Sequence, residues 1–155
     1  MERPSWAPVI FSGALPREVS DLLAITILLL TSVQTTSSSL YLFAGIGSAW
    51  ILLVLVPVTC TLASLSNSPR REHEELAIFA YGGTPRQIEI RYILRGTLIA
   101  AIGLLPLFAH FLEIGLAYSF DLVILAILAF LGGLSYAVPA VRRTRSSHFV
   151  GHYKG

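Results

Sequence analysis

Between Val19 and Val141 the chain is a series of long apolar runs, broken once near the middle by a dense block of charge. Runs of about 20 such residues are what a membrane-spanning helix requires. The expected fold is therefore an all-α integral membrane protein with four transmembrane helices, over about residues 19–36, 40–65, 92–114 and 120–141. A cytoplasmic amphipathic helix, over about 69–81, joins the second span to the third. Residues 1–18 form an N-terminal cytoplasmic or interfacial segment, 19–142 the four-span domain, and 143–155 a C-terminal cytoplasmic tail. Composition agrees: mean hydropathy is +0.71, and 13% of residues are charged, against about 25% in soluble domains.

Each run carries its own punctuation. Glu18 and Asp21 stand directly before the first, which argues against a cleavable signal peptide. The first run reaches spanning length only by continuing through Gln34 to Ser39, whose hydroxyls can bond helix carbonyls, with a short outer turn expected at Thr36–Ser39. In the second run Gly45, Gly47 and Ala49 form a small-residue face for close helix packing, and Pro57 is expected to kink the helix, with Thr59 or Thr61 re-satisfying freed backbone groups. Arg91 and Arg95, four apart, open the third span with Glu89 as local partner, and Pro106 marks a second expected kink. Gly132 and Gly133 give the fourth span a packing face. Cys60 lies inside an apolar run and reads as a small hydrophobe.

Charge placement sets the expected orientation. With four spans, the N-terminus, the charged block and the C-terminus share one side. Every basic residue (Arg3, Arg17, Arg70, Arg71, Arg86, Arg91, Arg95, Arg142, Arg143, Arg145 and Lys154) then falls there, while the outer loops keep only Glu113 and Asp121. By the positive-inside rule that side is the cytoplasm, of a multi-pass protein in the cell membrane.

The charged block reads as two helices meeting at a corner. Ser68-Pro69 starts the first, with Ser68 as N-cap. Gly82-Gly83 ends it by supplying a left-handed position. Thr84-Pro85-Arg86-Gln87 starts the next, with Thr84 as cap and Gln87 at the third position of a capping box. Leu76, Phe79, Ala80 and His73 share one stripe of the first helix, and Arg71, Glu72 and Glu75 decorate the rest. That acidic polar face favours a protein partner over a membrane surface.

The stretch Glu75-Leu76-Ala77-Ile78-Phe79-Ala80-Tyr81-Gly82-Gly83-Thr84-Pro85-Arg86-Gln87-Ile88 resembles the signature of FtsX-like ABC permeases, the group that includes MacB and the LolC and LolE subunits. Pro139-Ala140-Val141-Arg142-Arg143 is similar to the exit of that family's last span, so the likeness covers roughly residues 44 to 150. The chain departs from the pattern in having no basic residue between Phe79 and Ala80 and no large extracellular domain between its first two spans. The resemblance implies a permease subunit working by mechanotransmission. A separate ATPase subunit would push on Glu72, Glu74, Glu75, Leu76, Phe79, Tyr81, Gly82, Gly83, Thr84 and Arg86. It also implies a homodimer or a heterodimer with a second permease subunit, for which the small-residue faces are candidate contacts.

No catalytic constellation, cofactor motif or zinc spacing is present, and nucleic acid is not an expected partner. Glu72-His73-Glu74-Glu75 does not converge, since adjacent helical side chains diverge. His110, Glu113 and Asp121 make only a weak metal candidate and read better as interfacial polar residues. No ionisable residue is expected near the bilayer centre, which disfavours a proton- or ion-coupled transporter acting alone. The alternative reading is a non-transporting structural or assembly subunit of a membrane complex.

Overall fold

The computed structural model describes residues 7–41, 46–113 and 119–145. Among them the chain forms seven helices and no strand: α1 (Ala7–Ala14), α2 (Val19–Tyr41), α3 (Ile46–Ser66), α4 (Ser68–Ala80), α5 (Pro85–Gly103), α6 (Leu105–Glu113) and α7 (Ser119–Arg145). Within α2 and α7, the stretches Val19–Ser37 and Leu122–Arg143 are long and apolar enough to cross a membrane. Two bent pairs raise that number to as many as four: residues 51–66 with 70–80, at 76°, and α5 with α6, at 51°.

The hydroxyl-rich end of the first apolar run is helix rather than turn. Thr31 and Thr35 each donate to the carbonyl four residues back at 2.8 Å, and Ser37 donates to that of Val33 at 3.0 Å. Folding the hydroxyls onto the helix leaves nothing polar to break it, so α2 runs through the expected turn to Tyr41. The third span is in two pieces. α5 ends at Gly103, and Pro106, which has no N–H for the Ile102 carbonyl, falls in the first turn of α6. The bend lies just ahead of the proline. The last helix extends to Arg145, so the expected boundary at 142/143 falls within α7, and the N-terminal segment contains α1.

Proline is handled differently in α3 and α7. α3 runs unbroken through Pro57, and Thr59 and Thr61 bond the carbonyls of Leu55, Val56 and Pro57, not the Leu53 carbonyl that Pro57 releases. In α7, Pro139 deprives the Ser135 carbonyl of its helical donor, and the Thr61 hydroxyl of α3 stands 3.4 Å from it. A backbone group freed in one helix is thus met by a side chain of the next.

The most extensive packing is α5 on α7, followed by α3 on α7. Leu28, Val56, Cys60, Ile99, Ala100, Tyr136 and Ala140 form its fully buried centre. α5 and α7 approach closely because glycine faces glycine: a Cβ on Gly96 would lie 2.9 Å from Gly133 Cα and 3.0 Å from the Gly132 carbonyl oxygen. Gly132 and Gly133 therefore serve packing within the chain and are not open to a second copy. Gly45 lies outside the described residues, as do the surroundings of Gly47 and Ala49. The outward sides of α2, α3 and α7 expose Leu23, Leu30, Val54, Leu62, Ile127 and Phe130, a surface suited to lipid as solvent.

Candidate functional site

The charged block folds into α4 and the corner after it. α4 starts at Ser68 behind Asn67, so the N-cap position falls one residue earlier than the sequence suggests. Asn67 does not cap. Its side chain instead donates to the Ser20 hydroxyl and ties the α3–α4 junction to the start of α2. At the other end Gly82 takes φ +82°, the Gly83 N–H donates to the Ile78 carbonyl and the Gly82 N–H to that of Phe79, both at 2.9 Å. This is a Schellman motif, which explains glycine at the left-handed position. Thr84 opens α5 in extended conformation, and its N–H donates to Gln87 Oε1 at 2.9 Å.

α4 presents an unexpected inner face. Leu76, Ile78 and Phe79 are half-buried, but the side chains most deeply buried are charged: Arg71 is 0% exposed and Glu75 1%. His73 and Ala80, expected in the apolar stripe, are exposed, as are Glu72 and Glu74. Glu75 is thus withdrawn from the outer surface where a partner was expected to touch it. Tyr81 (83% exposed), Gly82, Thr84 and Arg86 remain on that surface, and Gly83 is half-buried against Ile78.

Arg71 and Glu75 belong to a buried network drawn from four helices and the residue before α2. Asp21 of α2, fully buried, accepts from Arg95 Nε of α5 at 2.9 Å, from the adjacent Arg95 Nη2, and from the Tyr136 hydroxyl of α7 at 2.7 Å. Arg71 Nη2 donates to Glu18 at 2.9 Å and to the Tyr136 hydroxyl, and lies 3.6 Å from Asp21. Glu18 is also 3.5 Å from Arg95. The Arg71 guanidinium lies 4.8 Å from the Tyr136 ring centre and 5.3 Å from that of Tyr92, within cation–π reach. Beyond the tyrosines, Glu75 Oε1 accepts from the Tyr92 hydroxyl at 2.7 Å and from Arg143 at 3.4 Å. Ser20, at the same end, reaches across to the Ala63 carbonyl of α3 at 3.4 Å.

Three acids (Glu18, Asp21, Glu75) face three arginines (Arg71, Arg95, Arg143), so the cluster is neutral as a whole. Charge-assisted arginine–carboxylate bonds, two of them from Arg95 to one Asp21 oxygen, and tyrosine donors satisfy much of what burial removes from water. Burial nonetheless pushes the Glu75 carboxyl up from its ordinary range, and the Tyr92 hydrogen bond and the charges of Arg143 and Arg71 counter this only in part.

These residues were visible in the sequence but not their meeting. Arg95 pairs with Asp21, 74 positions away, and Arg91 pairs with Glu74 of α4 at 3.1 Å. Helical spacing favours local partners, yet Arg95 faces the bundle interior, where only another helix can neutralise it. The available signal was the acid pair at the start of α2 and the arginine pair at the start of the third apolar run. In Glu72-His73-Glu74-Glu75 the first three side chains point outward and the fourth inward, so they form no common site. Among the described residues no three His, Cys, Asp or Glu side chains gather as metal ligands, and the side chain of Asp121 lies outside the description.

Comparison with family models, with curated proteins and with solved structures finds no match.

Proposed function

We propose that the chain is the permease subunit of an ABC-type system of the FtsX-like, mechanotransmission kind, residing in the cytoplasmic membrane. In this reading α2, α3, the bent α5–α6 pair and α7 are four spans. α4 lies on the cytoplasmic side with both termini, where the basic residues gather. A separate ATPase subunit docks on the outer face of α4 and its corner, and its closure on ATP drives α4. Two-fold ATPase symmetry calls for a second permease copy or homologue, which must use a surface other than the occupied Gly132–Gly133 face.

The observation that carries this reading is the two-sidedness of α4. Its outer side is polar, with Glu72 and Glu74 exposed and Tyr81 projecting beside the Gly82 corner. Its inner side is bonded through Arg71 and Glu75 to α5 and α7 and to the start of α2. A push on such a helix reaches three spans through charge-assisted bonds, which are short, directional and strong.

The test is affinity purification of the intact protein from native membranes in mild detergent, beside the variant Glu72→Lys/Glu74→Lys/Tyr81→Ala, with co-purifying proteins identified by mass spectrometry. An ABC ATPase recovered with the wild type and lost with the variant is the expected result. Recovery of other membrane subunits with no ATPase in either sample would overturn it in favour of a structural subunit.

A further inference from the structure

The Arg71 guanidinium is engaged along one edge only. Nη2 meets Glu18, Tyr136 and Asp21, whereas Nε and Nη1, equally buried, donate to no acceptor among the described residues. One turn further along α4, Glu75 shows the complementary half. Its Oε1 accepts from Tyr92 and Arg143, and its buried Oε2 accepts from no donor among the described residues. Unpaired buried groups of this kind are costly to keep. The two residues are four apart on one helix, the spacing at which side chains reach one another.

We propose that Arg71 is the bolt of a partner-exchange latch, holding α4 on the bundle through Glu18, Asp21 and Tyr136 and exchanging them for Glu75 of its own helix when α4 moves away. The network is divided in the way such an exchange requires. If α4 leaves, Arg71 and Glu75 leave together as a neutral pair. Asp21, fully buried beneath α4, gives up its 3.6 Å pair with Arg71 but keeps both Arg95 bonds and the Tyr136 hydroxyl. The charged groups that lose a partner are Glu18, which keeps Arg95 at 3.5 Å, Arg143 and Arg91, and these sit at the rim, with side chains 17%, 23% and 16% exposed; Tyr92 and Tyr136 each lose one hydrogen bond but no charge. Removing one member of a buried ion pair normally strands a charge. Here the stranded charges are the ones already touching water. The latch needs only that α4 moves, whatever moves it, and so stands apart from the ATPase reading.

The experiment uses full-length protein in lipid nanodiscs with Cys60→Ala, because Cys60 is the one native cysteine. Spin labels go at Ala77→Cys on the exposed side of α4 and at Arg17→Cys, exposed just before α2, and pulsed-dipolar distances report docked and displaced α4. Glu18→Gln, which leaves the Asp21–Arg95 pair intact, should raise the displaced population about tenfold, the weight of one charge-assisted hydrogen bond. Adding Glu75→Gln should return it toward wild type. The amide can still accept from Tyr92 in the docked state but offers Arg71 no carboxylate in the displaced one. If Glu75 only braced α4 through Arg143, the second substitution would raise the displaced population further. That outcome overturns the latch, as does an unchanged distance distribution in Glu18→Gln.

Discussion

Two adjoining stretches of the α5–α7 contact are held by opposite means. Midway along α5, Arg95 and Tyr136 meet across Asp21 through directional, charge-assisted bonds, over which Arg71 of α4 lays bonds that can be traded for others. Immediately beyond, Gly96 sits against Gly132 and Gly133 with no room for a methyl group. Packing of that kind has no alternative partner and yields only by separation of the helices. The contrast teaches where motion is cheap. A helix bonded through exchangeable ion pairs, as α4 is, can undock without stranding a buried charge, while the glycine crossing beside it stays as the fulcrum.

Substitutions can break this contrast from either side. The largest effect is expected from Asp21→Ala, which leaves Arg95 buried without its carboxylate and should cost about 3–5 kcal/mol. Thermal unfolding in detergent measures it, and a loss under about 1 kcal/mol would show that the polar end contributes little to stability. Gly133→Val comes next. Its Cβ would stand 2.6 Å from the Ile93 carbonyl oxygen, and overpacking of that kind costs about 1–3 kcal/mol. The same unfolding assay checks it, with Val138→Ala on an exposed α7 position as the near-silent control.

Gly82→Ala tests the corner without touching either region. A Cβ there meets nothing within 4 Å, so the cost is conformational alone, arising from φ +82°, and should be about 1 kcal/mol. A smaller, pH-dependent effect belongs to Glu75. Because its folded pKa is raised, the folded chain keeps this proton to higher pH than the unfolded chain does. Its contribution to stability is therefore full below the ordinary value of 4.5 and declines as pH rises through the raised one. The groups facing it are Arg71 and Glu72 on α4, Tyr92 on α5 and Arg143 on α7. Glu75→Gln should flatten that part of the stability–pH curve, and an unaltered slope would remove Glu75 as its source. The smallest effect is expected of Glu74→Ala. Its pair with Arg91 is half exposed, and such pairs contribute at most about 1 kcal/mol.

Much of the architecture was legible in the chain because its signals are local. Apolar runs of spanning length, a Ser-Pro start, a Gly-Gly corner and a Thr-Pro-x-Gln restart each act over one or two helical turns. The helices begin and end close to where those signals stand. The misses were also local conflicts. The Thr/Ser run after Val33 is turn-like in composition, but its hydroxyls bond backward and keep α2 helical. Pro106 announced a break that the backbone makes two residues earlier, at Leu104, since the missing N–H is felt upstream.

By itself, then, the sequence determined that this protein is helical, apolar along most of its length and punctuated by one polar helix with a glycine corner. Those properties depend on residues a few positions apart. Only the tertiary structure decided which charges face inward and with whom they pair. Asp21 and Arg95 lie 74 positions apart and Asp21 and Tyr136 115, and no periodicity connects them. Burial makes the difference: once the helices close, a charge turned inward must find its partner on another helix, because water is no longer there to serve.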